Sequence, residues 1–221
     1  MTEGRSAARS DLPVRAASAV VMIAIAGTAL WLGGPVWTVF VGLVAAGVLI
    51  EWSRLVMAFV PGIGGRLAWH IGGLVYVGLA TAALLVLRLV YGPFPVLVAV
   101  GVVVAVDVCA YFFGRRFGGP KIAPAISPSK TWAGLGGAML GAALVMYATH
   151  QADWRFAIVG VPVAVVAQAG DFFESWMKRR AGVKDSSRLI PGHGGLFDRV
   201  DGLIAVMFAV GLSAVLAGGM P

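Results

Sequence analysis

Residues Gln168–Gly202 read QAGDFFESWMKRRAGVKDSSRLIPGHGGLFDRVDG. These 35 residues hold five of the ten acids in the chain and six of its seventeen Lys and Arg. The sequence on either side is apolar, with Phe156–Phe173 leading in and Leu203–Leu216 leading out. Ionised groups beside membrane helices are costly unless they meet one another, a metal or a charged ligand. The stretch therefore reads as a polar site set between two membrane spans.

The rest of the chain supports that reading. Of its 221 residues 59% are hydrophobic and 12% charged, against about 25% charged in soluble domains. A core of this size cannot take up so much apolar side chain, so lipid must be the solvent for much of it. Seven apolar runs can be marked: Ala16–Leu32, Val36–Ile50, Leu67–Leu87, Phe94–Phe113, Trp132–Ala148, Phe156–Phe173 and Leu203–Leu216. The second and last are short for a span of about 20 residues. The second either continues through Glu51–Val60 or tilts little, with Trp52 at its end. Gly34-Pro35, Pro61-Gly62 and Gly92-Pro93 mark turns. Met1–Arg15 followed by an apolar run has the outline of a signal peptide. Because further apolar spans follow instead of a soluble domain, a retained first helix is expected. The expected fold is all-α: a polytopic integral membrane protein of about seven transmembrane helices with cytoplasmic motif loops. Residues 1–100 are expected to form N-terminal membrane helices, about three spans, and residues 101–221 a catalytic membrane region.

The net charge of +7 does not point to nucleic acid, because the basic residues lie in short loops between spans. Fifteen of the seventeen fall in the N-terminal tail and the loops after spans two, four and six, leaving only Arg88 and Arg155 on the other side. That asymmetry places the N-terminus and both motif loops in the cytoplasm. Without the ten basic residues of those two loops the ratio is still five to two. The single Cys109 excludes an internal disulfide. Gly137 and Gly141 form a GxxxG pair that lets a neighbouring helix approach closely.

Three constellations carry chemistry. Asp171, Glu174, Ser175 and Lys178 are spaced i, i+3, i+4, i+7, so in a helix they share one face. Asp198 and Asp201, three apart at the start of the last span, can share a face as well. Carboxylates from two helices suit a hard cation such as Mg²⁺, which takes oxygen ligands and commonly keeps phosphate oxygens. Lys178, Arg179, Lys184, Arg188 and Arg199 can neutralise a polyphosphate, and the glycines of PGHGG let backbone approach a phosphate. His193 reads as a hydrogen-bonding or loop-ordering residue in preference to a general base, since an ionised phosphate nucleophile needs none. Upstream, Asp107, Tyr111 and Arg115 lie at i, i+4, i+8. Asp107 inside an apolar helix is either paired with an arginine of another helix or part of the site. The following loop offers Lys121, Ser127, Ser129, Lys130 and Thr131 at a helix N-terminus, a plausible anion site, although no Walker A pattern occurs. His70 and His150 lie near span ends. Trp31, Trp37, Trp52, Trp69, Trp132 and Trp154 are expected in an interfacial belt.

These motifs resemble the phosphatidate cytidylyltransferases, or CDP-diacylglycerol synthases. The family's signature S-x-x-K-R, K-D, [IL]-P-G-H-G-G-x-x-D-R-x-D is met by Ser175, Lys178, Arg179, Lys184, Asp185, Ile190, Pro191, Gly192, His193, Gly194, Gly195, Asp198, Arg199 and Asp201. Asp107, Tyr111, Gly114 and Arg115, and the run Ser127–Thr131, match its upstream elements. The resemblance covers roughly residues 101–203. Ala133 departs from it, standing where the family carries an acid. The resemblance implies that the lipid phosphate attacks CTP, giving CDP-diacylglycerol and pyrophosphate, in the cell (inner) membrane. It implies Mg²⁺ and a second, monovalent cation, CTP and phosphatidate as partners together with membrane lipid, and a homodimer. On that basis Asp171, Lys184, Asp198 and Asp201 are expected to be catalytic. Metal is assigned to Asp171 and Asp198, supported by Glu174 and Asp201. Ser127, Ser129, Lys130, Ser175, Lys178, Arg179, Arg188, His193 and Arg199 are assigned to substrate. The alternatives are a kinase of a polyprenyl or phytyl alcohol, and a non-catalytic lipid-binding relative or transporter. A CDP-alcohol phosphotransferase is disfavoured because its aspartate pattern is missing.

Overall fold

Seven helices follow one another in a computed structural model that describes residues 3–218. They are α1 (Glu3–Leu32), α2 (Gly34–Phe59), α3 (Ile63–Val90), α4 (Pro93–Phe117), α5 (Trp132–Thr149), α6 (Trp154–Arg180) and α7 (Phe197–Leu216). Each is long and apolar enough to cross a membrane, α1 through its Pro13–Leu32 part. This is an all-α, multi-pass membrane protein. The ends follow local chemistry. Proline stands in the first turn of α2 and α4, where its missing N–H costs nothing. Thr131 caps α5, its hydroxyl accepting from Gly134 N at 3.0 Å. Arg88 caps α1 from α3, donating through Nε to Leu30 O at 2.7 Å.

The second span does continue through Glu51, and α6 and α7 extend past their apolar runs, so Asp171, Glu174, Asp198 and Asp201 all lie inside helices. Two short elements among the described residues are strands. In the loop after α4, β1 (Lys121–Ala123) and β2 (Ser127–Thr131) pair antiparallel. The hairpin delivers Ser129 and Lys130 to the start of α5.

α4 and α5 pack most intimately, and the glycines are the cause. A Cβ at Gly141 would lie 2.8 Å from Ala105 O, and one at Gly137 2.8 Å from Cys109 O. The GxxxG pair therefore sets backbone against backbone. The core is continuous across both halves of the chain, running from Val48, Trp52 and Val56 of α2 to Ile204, Val206 and Met207 of α7.

The expected tryptophan belt needs correction. Trp31, Trp132 and Trp154 are exposed, but Trp37 and Trp52 are buried core residues. Each indole finds a carbonyl inside: Trp52 Nε1 donates to Trp69 O at 3.0 Å and Trp37 Nε1 to Leu84 O at 3.4 Å. A buried indole with its N–H paired packs as a large apolar group.

Candidate active site

Up-and-down connection brings the C-terminal ends of α2, α4 and α6 to the same end of the bundle as the N-terminal ends of α5 and α7. The polar residues of the motifs gather there. Asp171 and Glu174 of α6 and Asp201 of α7 form one group, with ligand oxygens all within 4.8 Å of one another. The close approach of the two helices allows this. Gly170 faces α7 so tightly that a Cβ there would lie 2.8 Å from Asp201 O.

The helical spacing read on α6 is realised in contacts. Ser175 Oγ donates to Asp171 Oδ1 at 3.3 Å. Lys178 Nζ meets Glu174 Oε2 one turn back at 2.5 Å and reaches across to Asp198 Oδ1 at 2.6 Å. Asp171 is paired with Lys130 from the hairpin. Four carboxylates (Asp171, Glu174, Asp198, Asp201) thus face two ion-paired ammonium groups (Lys130, Lys178) among the described residues. In the ionised state that leaves an excess of two negative charges. Glu174 is fully buried, and among the described residues its one close cation is the Lys178 ammonium at Oε2, which Asp198 shares. An all-oxygen donor set with unmet negative charge fits a divalent hard cation.

Asp198, assigned above as a principal metal ligand, has other partners and lies outside the three-acid group. Its Oδ2 accepts from Ser186 N at 2.9 Å, Ser186 Oγ at 2.8 Å and Gly195 N at 2.8 Å. It ties the loop between α6 and α7 to Lys178.

A polar cavity of about 450 Å³ opens beside the acids. Asp107, Tyr111 and Arg115 of α4, Lys121, Ser129 and Lys130 of the hairpin, and Asp171 line it. Arg115 Nη1 donates to Tyr111 Oη at 2.9 Å. Asp107 forms no ion pair among the described residues, so the cavity, and not an arginine of another helix, is what it faces. On the other face of α6 lies an open apolar groove of about 710 Å³ between α3, α6 and α7. Trp69, Tyr76, Phe173 and Phe208 supply its aromatic wall, and Ala169 and Gly170 its floor.

The remaining expected residues are spread around this end. Arg179 holds the hairpin turn, donating to Ile126 O at 3.4 Å, and to Val183 O at 3.2 Å. Lys184, Arg188 and Arg199 are exposed, and no ion pair is formed by them among the described residues. Ser127 lies at the first residue of β2 and is not part of the cavity lining. His193 Nδ1 is 2.8 Å from Ser18 Oγ of α1, and Ser18 Oγ is also placed to donate to Pro191 O at 3.0 Å. This ties the PGHGG turn to the first helix.

Glu51 was missed as a site-end residue. It is buried on α2, and all of its partners come from the loop that ends at α7. A lone acid within the apolar run VLIEWSRL was the available signal, because such a group is expensive unless paired.

The sequence profile of the cytidylyltransferase family matches residues 64–216. A phosphatidate cytidylyltransferase of Brucella suis is 42% identical over 144 residues, covering 62% of this chain and 53% of that protein. One of Haemophilus influenzae is 41% identical over 127 residues, covering 53% of this chain and 44% of that protein. One of Rickettsia bellii is 31% identical over 210 residues, covering 89% of this chain and 87% of that protein. The chain spans about half the length of the Brucella and Haemophilus relatives it matches. With a family profile covering more than half of its length, and the profile's span carrying the three-acid group and the polar cavity beside it, the chain belongs to the cytidylyltransferase family.

Proposed function

We propose that this protein transfers a cytidylyl group from CTP to phosphatidate, giving CDP-diacylglycerol and pyrophosphate at the cytoplasmic face of the cell membrane. A phosphate oxygen of the lipid forms a bond to the α-phosphorus of CTP. The bond from that phosphorus to the β-phosphate oxygen breaks, and the electron pair leaves with pyrophosphate. The observation that carries the reading is the three-carboxylate group on α6 and α7, whose Asp171 lines a cavity that lysine, arginine and serine also line. Two anions must be brought together, so neutralisation and in-line placement are the main catalytic demands.

Asp171, Glu174 and Asp201 would hold Mg²⁺, which supplies charge neutralisation at the triphosphate. Lys130, Ser129, Lys121 and Arg115 would bind phosphate or nucleotide in the polar cavity. Lys178 and Asp198 would keep Glu174 in place from behind. Lys184, Arg188 and Arg199, exposed at the same end, would contribute positive potential for incoming anions. The lipid phosphate would approach from the other face of α6, its acyl chain lying in the apolar groove beside Gly170. The distribution of basic residues supports a cytoplasmic site, where CTP is found.

Purified protein in detergent with Mg²⁺, CTP and phosphatidate is expected to form CDP-diacylglycerol. Phosphate transfer to a long-chain alcohol, with no product from phosphatidate, overturns the proposal. The groove gives a second prediction. Ala169 is exposed on its floor, so Ala169→Trp fills the groove without crowding the core. KM for long-chain phosphatidate is expected to rise on the order of tenfold, about 1.4 kcal/mol of binding. KM for CTP stays unchanged. Equal changes in both constants would remove the groove from the lipid path.

A further inference from the structure

Glu51 stands in the interior of α2, outside the residues 64–216 that the family profile covers. It is 2% exposed, yet no cation pairs with it among the described residues. Its Oε1 accepts from Ser187 Oγ at 2.6 Å and Leu196 N at 2.9 Å. Its Oε2 accepts from Phe197 N at 2.7 Å and lies 2.9 Å from Ser186 Oγ, whose single proton it shares with Asp198. Leu196 and Phe197 supply the first amides of α7, a helix whose own N-cap residue provides no side-chain bond. Glu51 therefore caps α7 from another helix, and the helix N-terminus supplies the positive end that a buried carboxylate needs. The next residue out is shaped to fit. A Cβ at Gly195 would lie 2.7 and 2.8 Å from the two Glu51 oxygens.

The contacts continue inward. Ser186 Oγ is also 2.8 Å from Asp198 Oδ2, and Asp198 Oδ1 holds Lys178 at 2.6 Å against Glu174. A helix-to-helix loop in a membrane bundle has no need of a buried acid to fold. An acid placed here instead determines where the loop and the first turn of α7 sit.

We propose that Glu51 is a positioning residue of the transferase: it fixes Ser186–Phe197 so that Asp198 presents Lys178 to Glu174 and the acid group keeps its geometry. Its catalytic consequence rests on the function proposed above; the clamp itself does not.

Glu51→Gln tests this in the full-length protein in detergent. The amide is the same size, but its NH₂ turns toward two of the four donors. A misplacement of about 1 Å costs on the order of 10²-fold in rate. The expected result is a fall in kcat of roughly 10- to 100-fold, with KM for CTP and phosphatidate changed less than about threefold. Amide hydrogen exchange is expected to quicken within residues 186–197 while α4, α5 and α6 exchange as in the parent. Ser187→Ala alone should do the same to a smaller degree and should add nothing in the E51Q background. It also serves as the test if E51Q does not fold. Unchanged exchange in 186–197 overturns the clamp. Local loosening with parental kcat overturns its role in turnover, and uniform loosening of every helix assigns Glu51 to folding alone. A parent protein without cytidylyl transfer would count against the function, while the exchange measurement would still decide the clamp.

Discussion

Asp171→Asn is expected to lower cytidylyl transfer by about 10³-fold or more and to leave the protein folded, with an unfolding midpoint in detergent close to the parent's. Removing one group that stabilises charge in a preorganised site costs on the order of 10²–10³-fold. Asp171 has two such roles. It supplies one of three oxygens within 4.8 Å, and it pairs with Lys130, the lysine that the hairpin brings into the polar cavity. Its side chain is 31% exposed toward that cavity, and although the Lys130 ammonium is buried, the amide oxygen of the variant can still accept from it, so no buried donor is left without a partner. The loss should therefore appear in rate and in the Mg²⁺ concentration needed for half-maximal rate, not in unfolding. Asp198→Asn is expected to differ, because Asp198 accepts from two backbone amides and Ser186 Oγ and pairs with Lys178. Both activity and stability should fall in that variant. Asp171→Asn retaining more than about a tenth of the parental rate would take Asp171 out of the reacting centre, given the 10²–10³-fold expected of such a group.

The contrast between Asp171 and Asp198 shows where sequence reasoning stops. Periodicity alone places Asp171, Glu174, Ser175 and Lys178 on one stripe, because all four lie on one helix and the turn is 3.6 residues. It also marks the spans, since lipid demands long apolar runs, and it marks Gly137 and Gly141 as a close crossing. It cannot choose between Asp198 and Asp201. They are three residues apart, and which one joins Asp171 and Glu174 and which one pairs with Lys178 depends on the rotation of α7. That rotation is set by Gly170 seating against Asp201 O and Ala205, a contact between two helices. The hairpin at Lys121–Thr131 was hidden for a different reason: its strands are three and five residues long and carry no alternating pattern. Glu51 was legible in principle. The argument that singled out Asp107, an acid inside an apolar helix, applies equally to it, but its partners lie more than 130 residues away.

Lys178→Met is expected to be the most damaging single change to stability. The ammonium lies 2.5 Å from Glu174 Oε2 and 2.6 Å from Asp198 Oδ1, and the three side chains are 11%, 0% and 4% exposed. Without it two buried carboxylates face each other with no cation between them. Breaking a buried pair by removing one partner costs about 3–5 kcal/mol, because the remaining charge is left uncompensated. Lys178→Arg should rescue only part of this, since a planar guanidinium cannot occupy the place of a compact ammonium between two oxygens. Glu174→Gln added to Lys178→Met should restore a measurable part of the stability, because it removes one of the two stranded charges, while activity stays absent. Mg²⁺ supplies a separate readout. If the acids beside Lys178 take a divalent ion, millimolar Mg²⁺ should raise the unfolding midpoint of the Lys178→Met protein more than that of the parent, by binding linkage to the folded state. A Lys178→Met protein as stable as the parent, and indifferent to Mg²⁺, would mean that Glu174 and Asp198 do not carry the charges on which this site is built.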